Sequence, residues 1–564
     1  MTSHLVELFK KTPKETVDKV AYLIQGKLYP DYTGIEIGIA EKMAFKAIEK
    51  ATGIDRKTLE KSFLQTGDVG TITQTHMKTR TQLTLSSRPL TVENVYETLD
   101  KIAKASGSGS SETKINLLVG LLNQASPNEA KYIVRMATGE LRLGVADMTI
   151  LDSLAIAYGG GIDAREAVER AYNISSDLGT VAKTLAENGV EAVKKFSVTV
   201  GKPVRPMLAE RLPSAREILD KLGGKCAAEY KYDGERLQIH KSKDRVQVFS
   251  RRMENITGQY PDAQELAKTS LKAEEAIVEA EGVAVDITTG ELKPFQELMH
   301  RRRKHDIKEM MERYPVALFM FDALYLDGRD LTQKSYPERR RNLEAAIKKS
   351  DRISASTQIV TDNEKDFEKF FEEAIENGCE GVVAKSISPD SVYQAGARGF
   401  MWIKYKRDYK SEMTDTVDLV VVGAFQGRGQ RAGTYGSLLL ASYDGDADVF
   451  RTVCKIGSGF TDEDLEKLPK LLQPHMIPHR HARVDSKMVA DFWFTPTVVI
   501  EVIGAEITLS PIHTCAMNAI RKDSGLAIRF PRFTGKYRTD KAPEDATAVS
   551  EIKEMYQSQL KKIS

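Results

Sequence analysis

Six consecutive residues, Lys231-Tyr-Asp-Gly-Glu-Arg236, place a lysine, a D-G pair and an arginine at the spacing K-x-D-G-x-R. A lysine amine attacks phosphorus only when it is unprotonated and held in line with the leaving group. Reference lysine titrates at about 10.4, so neighbouring cations or desolvation must favour the neutral amine. A lysine that ends an apolar strand, beside a tight D-G turn with an arginine just beyond, is placed to take a nucleotide onto itself. The plainer reading is a β-hairpin with solvated charges, because D-G between strands is a common hairpin signal. The residues downstream weigh between the two.

Glu229 and Lys231 alternate with Tyr230, so both point to one face of a strand. Arg236 opens the next strand, and Ser250-Arg-Arg252 closes the one after it. Glu279 and Glu281 share a face between apolar Val278 and Val283; Glu279 reads as a surface residue. Phe321 and Asp322 end an apolar run, where a lone Phe reads as core. Glu380 and Lys385 bracket Gly-Val-Val-Ala, and Trp402-Ile-Lys-Tyr-Lys406 puts Lys404 and Lys406 on one side. Charges inside apolar strands are costly to bury without partners. Six such strands predict a cleft lined by cations, carboxylates and an aromatic ring. That set suits a nucleoside triphosphate: cations for phosphates, carboxylates for a divalent metal, a ring for the base.

The rest of the chain must position this cleft. At 564 residues it is too long for one core and predicts three or four domains. Residues 1 to about 200 read as helices, with helical apolar spacing over 15–24, 91–105, 112–125, 128–138 and 148–158. Thr12-Pro-Lys-Glu15 and Ser126-Pro-Asn-Glu129 read as capping boxes, and Ser106-Gly-Ser-Gly-Ser-Ser111 as a flexible loop. Near Pro203 strand-like runs begin, at 226–232, 236–242, 245–250, 276–285, 316–326, 381–386 and 401–406. This predicts an α+β region of sequentially paired antiparallel sheets. After Asp408-Tyr-Lys410, five short strands with Gly-rich connections suit a partly open OB-type barrel. Gly427 to Gly433 lacks a G-K-[ST] ending and reads as a mobile turn.

A net charge of +2 leaves nucleic-acid binding to local clusters. The runs Arg301–Lys304 and Arg339–Arg341 read as solvated helix faces. No apolar run approaches a membrane span, and the N-terminus lacks signal-peptide character. Cys226, Cys379, Cys454 and Cys515 lie far apart, with no zinc spacing or disulfide framework, which points to a reducing, cytoplasmic setting.

These motifs, in this order, resemble the covalent nucleotidyltransferases and, more narrowly, ATP-dependent DNA ligases of the archaeal and eukaryotic replicative type. The resemblance covers essentially the whole chain. Glu140-Leu-Arg-Leu-Gly144, Pro294 through Lys304, Arg529-Phe-Pro-Arg-Phe533 and Arg538-Thr-Asp-Lys541 are close to family signatures. It implies a helical DNA-binding domain (1–202), an adenylation domain (203–410) and an OB-fold domain (411–564). Lys231 then takes the AMP, Glu229 reads the adenine edge and Phe321 stacks on the base. Arg236 and Arg251 lie on the ribose and phosphate side. Glu281 belongs to the metal and ribose network, and Glu380 is a second acid for metal. Lys385, Arg398, Lys404 and Lys406 are phosphate-binding cations. Arg538, Asp540 and Lys541 orient pyrophosphate, although Thr534–Tyr537 differs in length from some relatives. ATP is the substrate, Mg²⁺ the metal with Mn²⁺ as a substitute, and nicked duplex DNA the partner. The resemblance also implies a monomer associated with the nucleoid. A sliding-clamp partner is usual for the family, and Gln82-Leu-Thr-Leu85 lies near where such a motif would sit, without its paired aromatics.

The rivals are an mRNA-capping guanylyltransferase, an RNA ligase, an NAD-dependent ligase and an inactive ligase-like scaffold. The first two need no 200-residue helical region. The third normally carries a four-cysteine zinc module.

Overall fold

The computed structural model describes residues 1–78, 89–285, 292–293, 295–298, 301, 307–406, 415–427, 434–504, 506–510, 512–529 and 531–561. The clamp-motif stretch 82–85, the linker at 408–410, most of the 427–433 loop and most of 294–304 lie outside the described residues. The chain divides into two compact units. One comprises Met1–Ala51 and Thr81–Arg407, the other Thr52–Arg80 and Asp408–Ser564.

The first unit begins with helices at Thr2–Lys11, Val17–Gln25 and Glu41–Thr52, then from Val92 to Lys194. All five predicted helical stretches are helices. The apolar stripes of 15–24 and 148–158 meet those of Thr2–Lys11 and Leu178–Asn188 in a core that includes Phe9, Val20, Leu151, Leu154, Val181 and Leu185. Ser126 forms the expected capping box with Glu129. The Thr12 box does not form: the Thr12 hydroxyl donates back to the Leu8 carbonyl, closing the first helix, and a short 3₁₀ turn follows. The Ser106–Ser111 stretch is only partly a loop. Gly109, at φ 81°, caps a helix that starts at Ser110, a backbone conformation glycine adopts without strain.

Eleven strands follow: β1 Leu208–Arg211, β2 Cys226–Lys231, β3 Glu235–Ser242, β4 Arg245–Ser250, β5 Glu275–Ala284, β6 Val316–Leu326, β7 Arg329–Asp330, β8 Ile353–Ala355, β9 Gln358–Thr361, β10 Gly381–Ser386 and β11 Arg398–Lys406. They make two sheets. One has the order β4-β3-β5-β6-β7, with β8 beside β6; the other has the order β1-β11-β10-β2-β9. Neighbours in the first are antiparallel and close in sequence, except that β8 runs parallel to β6. Sequential pairing fails in the second, where β2 pairs with β10 and β9, far along the chain, and β1 runs parallel to β11.

In the second unit, helices Arg56–Thr66 and Val69–Lys78 are joined by an eight-stranded sheet built largely on β12 Val417–Gln426, β13 Tyr435–Asp444 and β14 Val449–Ile456. The five-strand count is too low. The expected strand at 527–533 divides at Pro531, which has no N–H for a ladder. Gly525–Arg529 pairs with Glu506–Ser510 in a separate ribbon, and Arg532–Tyr537 pairs with Val499–Ile503.

Candidate active site

Strand register assembles one face of the β2-β10-β11 sheet. Lys231, Gly381 and Lys406 share a rung; Glu229, Val383 and Lys404 the next; Ala227, Lys385 and Trp402 the third. Residues opposite each other on neighbouring strands project to the same side. The face therefore carries Lys231, Glu229, Lys385, Lys404 and Lys406 together. Gly381 lets the strands close here: a Cβ at its φ of 146° would stand 2.2 Å from the Tyr405 carbonyl oxygen.

Lys231 Nζ lies 2.6 Å from Glu380 Oε2, and Lys406 Nζ lies 2.5 Å from the same oxygen. Burial works against the Glu380 charge, yet the two lysines hold its carboxyl down to about 2. Burial pushes Lys404 below the usual lysine range, helped by repulsion from Lys406, Arg398, Lys231 and Arg251. Those five cations thus gather around one spot. Among the described residues, Lys404, Arg398 and Arg251 have no acidic partner within ion-pair distance. A cluster of unneutralised cations on a half-buried face has the chemistry to hold an anion.

The D-G pair is not a hairpin turn. It carries the chain from β2 in one sheet to β3 in the other. Gly234 is required by contact, since a Cβ would sit 2.3 Å from the Gly282 carbonyl oxygen and 3.0 Å from Glu281 Cγ. Asp233 accepts from the Phe295 N–H at 3.1 Å, and burial raises its carboxyl above the usual range. Burial also pushes Glu281 up to about 7, against the pull of Lys231 and Arg236 and with the push of Glu380 and Asp233. The crossover thereby brings Asp233, Glu281 and Glu380 to Lys231 from two sheets.

Arg236 sits opposite Glu281 on β5 but reaches diagonally to Glu279, with Nη2–Oε2 at 2.7 Å and Nε–Oε1 at 3.2 Å. Glu279 is 1% exposed, so its reading as a surface residue is wrong. Tyr393 donates to it at 2.9 Å, and Arg236 also donates to the Met207 carbonyl. Phe321 does not end its strand. It lies mid-β6 beside a bulge, half-buried, edge-on to Trp402 and beneath the Arg236 guanidinium at 5.2 Å.

Lys385 departs from expectation. Its rung is four residues along β2 from Lys231, roughly 13 Å away by strand rise. It is buried against Glu229 at 2.9 Å, donates to the Phe321 carbonyl and lies over the Phe321, Tyr336 and Trp402 rings. It is a partner of Glu229 and not a free phosphate cation. The Arg339–Arg341 run is likewise no solvated face. Arg339 is fully buried on Asp322, Arg340 is buried on Glu229, and only Arg341 is exposed. The sequence signal was there in part: Tyr336 and Arg340, four apart, share a helix face. Arg301 is buried on Asp262 at 2.7 Å and also leaves its expected solvated run. Arg538, Asp540 and Lys541 form their own ion cluster in the second unit, where Arg538 and Lys541 both hold Asp418.

Known proteins carry the same organisation. The family described as ATP dependent DNA ligase domain matches residues 206–406, the DNA ligase N terminus matches 1–155, and the ATP dependent DNA ligase C terminal region matches 431–541. DNA ligase 2 of Thermofilum pendens is 58% identical over all of this chain and 94% of its own length. A DNA ligase of Caldivirga maquilingensis is 56% identical over the same shares. A solved structure described as Pmar-Lig_Pre shares the fold, with a TM-score of 0.51, 18% identity, 96% of this chain and 99% of its own covered. With full-length identity far above the level at which family membership is in question, the chain belongs to the ATP-dependent DNA ligases.

Proposed function

We propose that Lys231 is the nucleophile by which this ligase takes AMP from ATP. Its amine attacks the α-phosphorus, a P–N bond forms, and the bond to pyrophosphate breaks. The AMP passes to the 5′-phosphate of a nick in duplex DNA, and the 3′-hydroxyl then displaces AMP and seals the strand. Lys404, Lys406, Arg398 and Arg251 neutralise charge on the phosphates, which is the largest service a protein can give to phosphoryl transfer. Arg236, fixed by Glu279, serves the ribose side; Phe321 stacks on adenine; Glu229 accepts from its amino edge.

Glu281 and Glu380 would hold Mg²⁺, or Mn²⁺ in its place, with Asp233 beside them. The donor set fits. A carboxyl pushed up to about 7 by burial next to two other acids gains from an added positive charge. Among the described residues no three His, Cys, Asp or Glu side chains form a metal cluster by themselves. The ion would thus rest on few carboxylates and on substrate phosphates, the usual arrangement for Mg²⁺. Bound there, it would polarise phosphate oxygens.

We assign the helical region to backbone-directed, salt-sensitive DNA binding, and the strand-rich region after 410 to an OB-type module that orients pyrophosphate through Arg538, Asp540 and Lys541. Among the described residues no helix is long and apolar enough to cross a membrane.

The observation that carries this reading is Lys231 on one rung with Lys406, at the edge of a cluster of cations without acid partners. The test is covalent labelling by α-labelled ATP with Mg²⁺. Lys231→Ala should fold and remain unlabelled; a labelled variant would mean another nucleophile. Residues 1–200, if they bind DNA as assigned, should give a full-length protein whose DNA affinity falls steeply with salt.

A further inference from the structure

We propose that Arg340 is a positioning residue that sets the base selectivity of self-adenylation, by holding the Glu229 carboxylate where the 6-amino group of adenine donates to it. This rests on the role given above to Glu229.

Arg340 lies on the helix Tyr336–Ala346, 111 residues from Glu229 along the chain. Its Nη1 donates to Glu229 Oε1 at 3.2 Å and to Ser356 Oγ at 2.9 Å; Nη2 donates to the Ser356 carbonyl at 2.7 Å; Nε donates to Glu344 at 2.7 Å. Its side chain is 9% exposed. Held on all sides, the guanidinium is a fixed post. Ser356 Oγ passes the constraint to Glu229 Oε2 at 2.7 Å, and Lys385 Nζ holds that same oxygen at 2.9 Å. Both carboxylate oxygens are therefore pinned. The last torsion of a free glutamate is broad and roughly two-fold, so this pinning selects one orientation from many.

The chemistry of that orientation is selective. A carboxylate gripped by a guanidinium and an ammonium offers only acceptors. It attracts the exocyclic amino group of adenine and opposes the keto oxygen of guanine. One contact already shows the fit. The Gln358 side-chain amide, on edge strand β9 and half-buried, donates to Glu229 Oε1 at 3.0 Å. The Tyr336 hydroxyl donates to the same oxygen, so the amino group of adenine would take the place of the Gln358 amide there. Phe321, whose carbonyl anchors Lys385, presents its ring 5.1 Å from that ammonium, so base stacking and edge recognition share one support.

The plainer alternative is that Arg340 merely fastens its helix to the sheet. A fastener would weaken the fold and lower labelling by every nucleotide alike. The experiment compares ATP with purine riboside triphosphate, which lacks the 6-amino group, as donors in covalent labelling of full-length protein, with KM and kcat for each. Wild type should favour ATP by about tenfold or more, as for a site built around one hydrogen bond. Arg340→Gln should raise KM for ATP about tenfold with a smaller change in kcat. The analogue should lose much less, so the preference collapses towards one. Arg340→Lys should recover part of it, and it carries the same ratio test if Arg340→Gln does not fold. A preference unchanged in the folded variants would overturn the proposal. A wild type that does not distinguish the two nucleotides would instead remove the role of Glu229 and this proposal with it. Neither result touches Lys231, whose assignment stands or falls on Lys231→Ala.

Discussion

Two neighbouring groups of charges around the Lys231 sheet are handled in opposite ways. Around the Glu229 carboxylate the cations are buried and matched: Lys385 and Arg340 hold Glu229, and behind them Arg339 holds Asp322. Around Lys404, by contrast, Arg398 and Arg251 repel its charge, and none of the three has an acid partner among the described residues. Both arrangements are costly, for different reasons. A buried pair loses hydration and regains it only with good geometry, so it specifies shape. An unpaired cluster suffers repulsion until an anion arrives, so it specifies a ligand. The paired group fixes shape, and the unpaired group suits the phosphate role proposed for it.

The comparison breaks most directly at Lys231, the proposed nucleophile. Lys231→Ala should abolish covalent labelling while the thermal midpoint stays close to wild type; residual labelling at wild-type stoichiometry would void that assignment. Lys404→Ala comes next. It should cut labelling by about a hundredfold, as loss of one preorganised donor does, with stability changed by no more than about 0.5 kcal/mol. A large drop in stability with labelling preserved would make Lys404 a structural residue.

On the paired side the balance reverses. Glu279→Ala leaves Arg236 buried without its carboxylate, at about 3–5 kcal/mol. It should lower the thermal midpoint of the first unit visibly, and a midpoint equal to wild type would show that the pair is not held as described. The effect smallest near neutral pH concerns His240, fully buried, whose Nδ1 accepts from the Gly201 N–H at 2.9 Å while Nε2 meets Gln238 Oε1 at 2.9 Å. Burial holds it neutral and pushes its titration down to about 3. Its folded value lies below its unfolded one, so the unfolded chain takes up the proton first. Its share of stability is present above about pH 6.5 and is lost as pH falls towards 3, at no more than about 1.4 kcal/mol per pH unit. His240→Asn should flatten the acid limb of a stability–pH curve over that window; an unchanged slope would place the acid sensitivity elsewhere.

Much of the first unit was legible in the chain. Every predicted middle strand is a strand, because alternating charge within apolar runs has one cheap solution, a sheet with a wet face. Lys231, Glu229, Lys404 and Lys406 came out on one face for the same reason. Glu279 and Arg340 did not, because their meaning depends on what faces them. A carboxylate within an apolar strand looks alike whether solvent or Arg236 lies across from it. An arginine run on a helix looks solvated until the helix is known to lie over Glu229. The second unit was less legible, since short strands with breaks such as Pro531 leave pairing to be set by distant contacts.

The amino-acid order alone determined which residue types were available and, through the two-residue period of strands, which of them share a side. Which cation meets which carboxylate was decided only on folding. The order β9-β2-β10-β11 and the crossover at Gly234 bring together residues more than a hundred positions apart. Periodicity is local information, whereas an ion pair is a meeting of two elements, and its partner is chosen by register and burial.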